Sequence, residues 1–310
     1  MPLFSPEQER RYRRLLGEEY GCFEEACKRP LPVVVRCNTL MCSPQEAFDA
    51  LSEEGFELQV LPWCPYAAKV VDGPLANLGN TLAHFAGLIY LQEAVSLLPV
   101  LVLDPQPSEL LLDIAAAPGS KTTQAAQHMG DRGAIVANDV SGGRLKALAY
   151  HVERLGLTSI TVTQMDGRRF GRLTPNAFHR VIADCPCSGE GTVRKDSRAV
   201  QEPSPRARKR LTETQKALLV SAYKAVVPGG LILYSTCTLA PEENEGVVSY
   251  LLENYQCHTE TIQLPGLKVS PGILEWEEER FHPGVERSLR VYPHQNDTGG
   301  FFLSLIRKGE

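Results

Sequence analysis

The chain has 310 residues, 43% hydrophobic and 22% charged, the balance of a soluble globular protein of one or two domains. Its net charge of −5 is uneven, with −6 over residues 1–105 and +1 over residues 106–310. No apolar run approaches the roughly 20 residues of a membrane helix, the N-terminus lacks a signal-peptide pattern, and nine cysteines are too few and too odd for a disulfide scaffold; a cytoplasmic protein with free thiols and no membrane contact is expected.

Pro6 to Lys28 is predicted helical, from its Glu and Arg content and the spacing of Tyr12, Leu15, Leu16, Phe23 and Ala26. Pro32 to Asn38 reads as a strand. Ser43-Pro44-Gln45-Glu46 is a capping box with proline at the first helical position, opening a helix to about Glu54. Phe56 to Leu61 reads as another strand. Thr81 to Leu98 is expected to be mostly helical, and Asp104-Pro105-Gln106-Pro107 marks a domain boundary. Residues 1–105 therefore read as a small α+β substrate module.

From residue 106 to 310 the pattern turns to alternating strands and helices. Strands are predicted at Leu110 to Ile114, Ala134 to Ala137, Ile160 to Thr163, Val181 to Ala183, Leu231 to Tyr234 and Phe301 to Ile306. Helices are predicted at Gly119 to Met129, Gly143 to Leu155, about Ser204 to Val226, and Glu242 to Glu253. This order predicts an α/β fold with a doubly wound parallel sheet.

The first strand–helix turn is Ala115-Ala116-Ala117-Pro118-Gly119-Ser120-Lys121. Small side chains let a ligand approach the backbone, and a helix N-terminus favours an anionic group. Asp139 follows the second strand and Asp166 the third, a layout suited to an adenosine-containing cofactor. A dinucleotide site needs more glycines than the turn has, and a P-loop needs Gly directly before Lys, where Ser120 stands. S-adenosylmethionine, with its carboxylate near the helix start and Lys121, fits better.

Cys187 lies in Asp184-Cys185-Pro186-Cys187-Ser188-Gly189, and Cys237 in Ser235-Thr236-Cys237-Thr238. Each follows an apolar strand, so both thiols should emerge at the carboxyl edge of the sheet, where open α/β folds bind ligands. Two thiols there suit covalent chemistry on an electron-poor ring. Cys64 and Cys257 read instead as small buried hydrophobes. Cys22, Cys27, Cys37 and Cys42 have C-x4-C spacing twice, but they fall in a helix and a strand, and no metal is expected. His294 has no nearby His or Cys partner and reads as structural.

The densest basic stretch holds Arg194, Lys195, Arg198, Arg206, Arg208, Lys209 and Arg210. It suits a phosphate backbone, the alternative being a solvated loop and helix start.

Taken together these segments resemble the Sun/Nop-type RNA cytosine-C5 methyltransferases. Arg36-Cys37-Asn38-Thr39 resembles the family's R-x-N-T motif, and Gln92-Glu93-Ala94-Val95-Ser96 its Q-E-A-x-S segment. Asp113 to Thr122 resembles the cofactor loop, Asp184 to Thr192 and Ser235 to Thr238 the two cysteine motifs, and Arg290 to Phe302 the closing motif. Ala115 and Ser120 replace a cysteine and a glycine of the usual loop, Cys185 stands where alanine is common, and Gly299 where aspartate is often found.

The resemblance implies a Rossmann-like S-adenosylmethionine-dependent methyltransferase domain behind a small RRM-like module. It implies RNA, either tRNA or rRNA, as the partner of a monomeric enzyme. Ala115, Ala116, Ala117, Pro118, Gly119, Ser120 and Lys121 would wrap the methionine part of the cofactor. Asp139 would hold the ribose and Asp166 the adenine, with Arg144 in support. Asp184 would lie between cofactor and base and, raised by neighbouring acids, hold a proton for the ring. Cys237 would be the nucleophile and Cys187 the group that assists release, with Arg194, Lys195 and Arg198 on the RNA. Three thiols would crowd the site if Cys185 joins them. Larger bacterial relatives carry extra domains, so a chain ending here is compatible with a tRNA substrate. The rival expectations are a DNA cytosine methyltransferase, which would attack with Cys187, and a silent RNA-binding or ribosome-assembly factor.

Overall fold

The computed structural model describes residues 3–196 and 203–310. The chain opens with two helices, α1 (Pro6–Leu16) and α2 (Tyr20–Lys28), not the single helix predicted. Gly17 takes a positive φ of 55°, and a 3-10 turn over Gly17–Glu19 redirects the chain; glycine enters that region without a Cβ clash. The bend lets Tyr12 of α1 and Phe23 of α2 meet, with ring centroids 5.2 Å apart. Both pack against Val193, Leu239 and Tyr292.

A small antiparallel sheet follows. Its elements are β1 (Val34–Cys37), α3 (Pro44–Glu53), β2 (Glu57–Leu61), β3 (Cys64–Asp72), α4 (Leu82–Phe85) and β4 (Ile89–Leu91), and the strands pair in the order β2-β3-β1-β4. Ser43 and Glu46 cap α3 reciprocally, as the capping box predicts. Ala47, Phe48 and Leu51 of α3 bury against Val35, Ala68, Val70 and Ile89 of the sheet.

The expected helix over Thr81 to Leu98 is a correction. The segment is α4, then β4, then a 3-10 turn Ala94–Leu97 leading into α5 (Leu98–Leu103). Gly87 explains the break: at φ +75° it passes so close to the carbonyl of Arg154 that a Cβ would sit 2.1 Å from it. β3 carries no alternation that the sequence would show, because its burial follows an irregular pattern around bulges in the pairing with β2.

The large sheet is built from β5 (Leu110–Asp113), α6 (Ser120–His128), β6 (Ala134–Asn138), α7 (Gly142–Arg154), β7 (Ile160–Thr163), α8 (Phe170–Leu173), β8 (Phe178–Asp184), α9 (Pro205–Ala225), β9 (Val226–Thr236) and α10 (Glu245–Asn254). The C-terminal part adds β10 (Cys257–Thr259), β11 (Ser270–Pro271), the separate hairpin β12 (Glu275–Trp276) and β13 (Glu279–Arg280), then β14 (Leu289–Val291), α11 (Pro293–Asn296) and β15 (Phe301–Lys308). The order is β11-β14-β15-β9-β8-β5-β6-β7, with β10 on β15. β5 through β9 are parallel, and β15 joins β9 antiparallel. One face is covered by α9 and α10, through Leu218, Leu219, Ala222, Val247, Val248 and Leu251. α5 and α6 cover the other, through Leu98, Leu103, Ala125 and Ala126. Strand order reverses between β5 and β8, and open α/β sheets leave a crevice outside the strand ends at that point. No helix among the described residues is long and apolar enough to cross a membrane.

One side chain joins the two sheets. Arg36 on β1 is 1% exposed and lies over the Tyr90 ring at 4.9 Å. Its guanidinium donates to Gln92 Oε1 (2.6 Å), to the carbonyl of Ser120 (2.9 Å) and to Thr123 Oγ1 (3.0 Å). Arg36→Ala would strip three buried acceptors of this donor and is expected to cost about 2–4 kcal/mol. Urea unfolding measures it, and a loss below about 1 kcal/mol would mean the joint is held by apolar packing instead.

Candidate functional site

The crevice beside β5 holds a cavity of about 420 Å³, within the range of small-ligand sites. It is lined by residues from the ends of five parallel strands, among them Ala115, Asp139, Asp166, Asp184, Cys187 and Cys237.

The strand ends are tied together by Asn138. Its amide donates to the carbonyls of Ile114 and Met165, and its Oδ1 accepts from the Met165 N–H and the Thr163 hydroxyl. The next residue, Asp139, is 2% exposed. Its Oδ1 accepts from the Ser141 N–H at 2.9 Å. Its Oδ2 lies 3.2 Å from the Arg144 guanidinium yet has no partner in hydrogen-bond geometry. A buried carboxylate oxygen with open capacity, on the wall of a cavity, fits a ligand that brings hydroxyl donors. Arg144 also donates to the Ala117 carbonyl, so it braces the turn against Asp139. Asp166 begins the turn after β7, accepting from the Arg168 N–H and pairing with its guanidinium at 2.6 Å.

Of the turn residues, Ala115 lines the cavity. Ala116 and Ala117 pack with Ala137, Leu145 and Leu148 beneath it. Gly119, at φ +110°, leaves no room for a side chain, since a Cβ would lie 2.6 Å from Leu148. The Ser120 carbonyl is taken by Arg36.

Lys121 departs from expectation. It does not line the cavity; its ammonium pairs with Asp184 Oδ2 at 2.7 Å. Burial works against its charge, but the Asp184 carboxylate more than compensates and raises it above the usual lysine value. The other Asp184 oxygen accepts from Ser235 Oγ at 2.7 Å. The group beside Asp184 is therefore a cation. Asp113 is the acid that burial lifts, to about 7, even though Thr122 donates to it at 2.6 Å.

The two predicted thiols meet. β8 and β9 pair in parallel with Asp184 opposite Ser235, and the Cys187 and Cys237 sulfurs are 3.3 Å apart. The loops that carry them are laced together. Ser188 Oγ and Thr238 Oγ1 are 2.7 Å apart, and the Gly191 N–H donates to the Cys237 carbonyl at 2.9 Å. The Gly191 carbonyl in turn accepts from the Gly300 N–H, and a Cβ on Gly191 would lie 2.3 Å from the Gly300 carbonyl oxygen. Contact with Cys237, then burial, then the Glu243 and Asp184 carboxylates push the Cys187 thiol well above its ordinary value. Cys185, 5% exposed, packs into the hydrophobic core and also contributes to the cavity wall beside Cys187 and Cys237. At Gly299 a Cβ would lie 2.0 Å from Glu93 Oε1, so any side chain there requires Glu93 to move.

The sequence reading missed Asn138 as a strut, and Ser235, Gln215 and Glu243 as partners of the motif loops. Polar residues inside strands and mid-helix carry no spacing signal for such contacts. Among the described residues no His/Cys/Asp/Glu group could hold a metal; Cys37 and Cys42 face each other with sulfurs 3.8 Å apart. His294 is a structural residue, paired with Glu19 at 2.5 Å.

Arg194 is a correction. Its side chain is 1% exposed and salt-bridged to Asp297 at 2.7 Å. It also donates to the carbonyls of Arg29, Pro30 and Thr298. A guanidinium with five donors can satisfy several loop carbonyls at once, which is what it does here instead of meeting solvent. Lys195 is exposed, and Arg198 lies outside the described residues. Arg208 is buried against Glu190 at 3.0 Å, whereas Arg206, Lys209 and Arg210 are exposed.

Comparison with known proteins places this geometry in context. A family model described as 16S rRNA methyltransferase RsmB/F matches residues 100–307. A model described as the N-terminal domain of 16S rRNA methyltransferase RsmF matches residues 5–94. The tRNA (cytosine(49)-C(5))-methyltransferase of Pyrococcus abyssi is 41% identical over 280 residues, covering 90% of this chain and 89% of its own length. Ribosomal RNA small subunit methyltransferase F of Klebsiella pneumoniae is 42% identical over 291 residues, covering 92% of this chain, which spans 59% of that relative. Among solved structures, a methyltransferase homolog protein from Pyrococcus horikoshii superposes with a TM-score of 0.87 at 32% identity, over 98% of this chain and 95% of that one. NSun6 from Pyrococcus horikoshii, solved with SFG, superposes with a TM-score of 0.85 over 100% of this chain and 99% of that one; at 23% identity it shows the fold alone.

Arg194→Ala should strip four polar groups of their donor and lower stability by about 2–4 kcal/mol, while Lys195→Ala should change it by less than about 0.5 kcal/mol. Denaturant midpoints of the two variants decide it; equal midpoints would return Arg194 to the surface.

Proposed function

This chain belongs to the 16S rRNA methyltransferase RsmB/F family of S-adenosylmethionine-dependent RNA cytosine-C5 methyltransferases, and we propose that it methylates a cytosine of tRNA or rRNA through a covalent bond from Cys237. The observation that carries this reading is the contact of two thiols in the wall of a cavity that Asp139 also lines.

S-adenosylmethionine, when bound, supplies a methyl group on a positively charged sulfur. The open oxygen of Asp139 and the neighbouring Asp166 would take its ribose and adenine, with Ala115 against its methionine part. The residues present fit that group.

Cytosine C5 is a poor nucleophile until a group adds at C6. Contact with Cys237 and burial push the Cys187 thiol up, so Cys187 is read as the thiol kept for the later proton transfer and Cys237, in the Ser235-Thr236-Cys237-Thr238 motif, as the sulfur that attacks. Asp184 lines the cavity beside this point, and Lys121, paired with it at 2.7 Å, sets a positive charge behind it as negative charge develops on the ring. Once Cys237 is bonded to carbon, its charge and its hydrogen bond to Cys187 are gone. The contact that raised Cys187 is thereby removed, so Cys187 can give its proton to water in the cavity and, as thiolate, take the proton from C5; the C5–H electron pair re-forms the C5–C6 double bond and Cys237 leaves carbon 6 as a thiolate. The target base must leave its stack to reach the rim, at a cost of about a few kcal/mol.

For the small sheet, an RRM-like, RNA-facing role within residues 1–105 is supported by its strand–helix–strand–strand–helix–strand order. Exposed Lys195, Lys209 and Arg210 are the cations proposed for the phosphate backbone.

Cys237→Ala is expected to abolish methylation and form no covalent RNA complex, whereas Cys187→Ala should accumulate a denaturant-stable protein–RNA adduct. Denaturing gels with total RNA from cells lacking the enzyme and with S-adenosylmethionine read both; an adduct with Cys237→Ala alone would reverse the two roles.

Asp139→Ala is expected to weaken S-adenosylmethionine binding by about 1.5–3 kcal/mol, the scale of lost charge-assisted hydrogen bonds. Calorimetric titration without RNA measures it, and unchanged affinity would remove Asp139 from the ribose.

A further inference from the structure

The segment carrying Cys187 is irregular backbone between β8 and a 3-10 turn, so no ladder fixes its peptide groups. Two side chains do so instead. Glu243 and Gln215 are both fully buried, at 0% exposure. Glu243 Oε2 accepts from the Ser188 N–H at 2.9 Å, on one side of Cys187. Gln215 Nε2 donates to the Pro186 carbonyl at 2.9 Å, on the other side. The same Gln215 amide donates to Glu243 Oε2 at 2.9 Å, closing the bracket.

We propose that Glu243 and Gln215 form a clamp whose task is to position Cys187 for the release step. The proposal rests on the reading of Cys187 and Cys237 given above, and deepens it.

Three features support it. The clamp touches the peptide on both flanks of Cys187, while the Cys237 carbonyl is held by Gly191 instead. Glu243 is itself fixed: the Tyr234 hydroxyl donates to its carbonyl at 2.6 Å, and the Asn244 amide donates to the Thr238 carbonyl at 3.0 Å. Finally, a fully buried carboxylate carries a large desolvation penalty and an unpaired loop N–H a smaller one. Here that penalty is met by two donors on one oxygen, the Ser188 N–H and Gln215 Nε2, with Arg208 3.6 Å from the other, so the loop N–H is held by an acceptor that is itself fixed in place. Glu243 and Gln215 are positioning residues; neither lines the cavity.

The test separates attack from release. Gln215→Ala, Glu243→Ala, Glu243→Gln and the Cys187→Ala control are each given total RNA from cells lacking the enzyme and S-adenosylmethionine. Denaturing gels follow adduct, single-turnover assays follow methyl transfer, and calorimetry follows cofactor affinity. Gln215→Ala and Glu243→Ala should accumulate at least about tenfold more adduct than the unaltered protein, the scale of a small misplacement of a reacting group, with methyl transfer and cofactor affinity within about twofold. Glu243→Gln keeps an acceptor oxygen for both donors and should behave like the unaltered protein. The clamp is overturned if the two alanine variants turn over without adduct while Cys187→Ala traps one. It is equally overturned if they lose cofactor binding, since that marks a general structural role. If Cys187→Ala itself traps nothing, the release assignment fails and the clamp with it.

Discussion

The parallel ladder between β8 and β9, with Asp184 opposite Ser235, is the constraint on which the site depends. Parallel neighbours point the same way, so whatever follows each strand emerges at the same edge. Cys187 and Cys237 follow their strands at nearly equal distances, and their sulfurs meet at 3.3 Å. The Ser235 hydroxyl, one step into β9, reaches back to Asp184 and orients it toward Lys121. A slip of one residue in that register would turn every side chain of one strand to the opposite face and part the thiols. The apolar runs of both strands, buried between two helical layers, make such a slip costly.

Around this ladder the charged groups are mostly buried and paired. Arg290 is held by Glu245, Arg208 by Glu190, and Arg194 by Asp297. Such pairs add little net stability, because desolvation consumes most of their attraction. What they supply is geometric. Each ties two elements of residues 106–310 together, and a long side chain with several donors does this where no backbone ladder reaches. Arg36 does the same between the two sheets.

Much of this was legible in the sequence. Buried parallel strands are near-continuous apolar runs, so β5, β6, β8 and β9 stand out, and their ends name Asp139, Asp184 and both thiols. The first two helices and the stretch from Thr81 to Leu98 did not read correctly, because Gly17 and Gly87 act through close tertiary contact or backbone angle, which composition does not show. Arg194 misled for a different reason: a run of cations reads as a surface, yet a guanidinium can be worth more to a set of unpaired loop carbonyls than to water. Gln215 and Glu243 were silent because their partners are backbone groups distant in sequence.

The crossing of Gly191 and Gly300 sets the spacing of the reactive edge by main chain against main chain. A distance fixed by side chains can drift through a series of larger and smaller residues, each slightly altered and still functional. A distance fixed by two touching peptides has no such series. Its value comes from bond lengths and van der Waals radii, so mutation at the crossing offers only retention or rupture. The chemistry at the rim can therefore diverge in which RNA it meets, but not by gradual adjustment of how far apart its working parts stand.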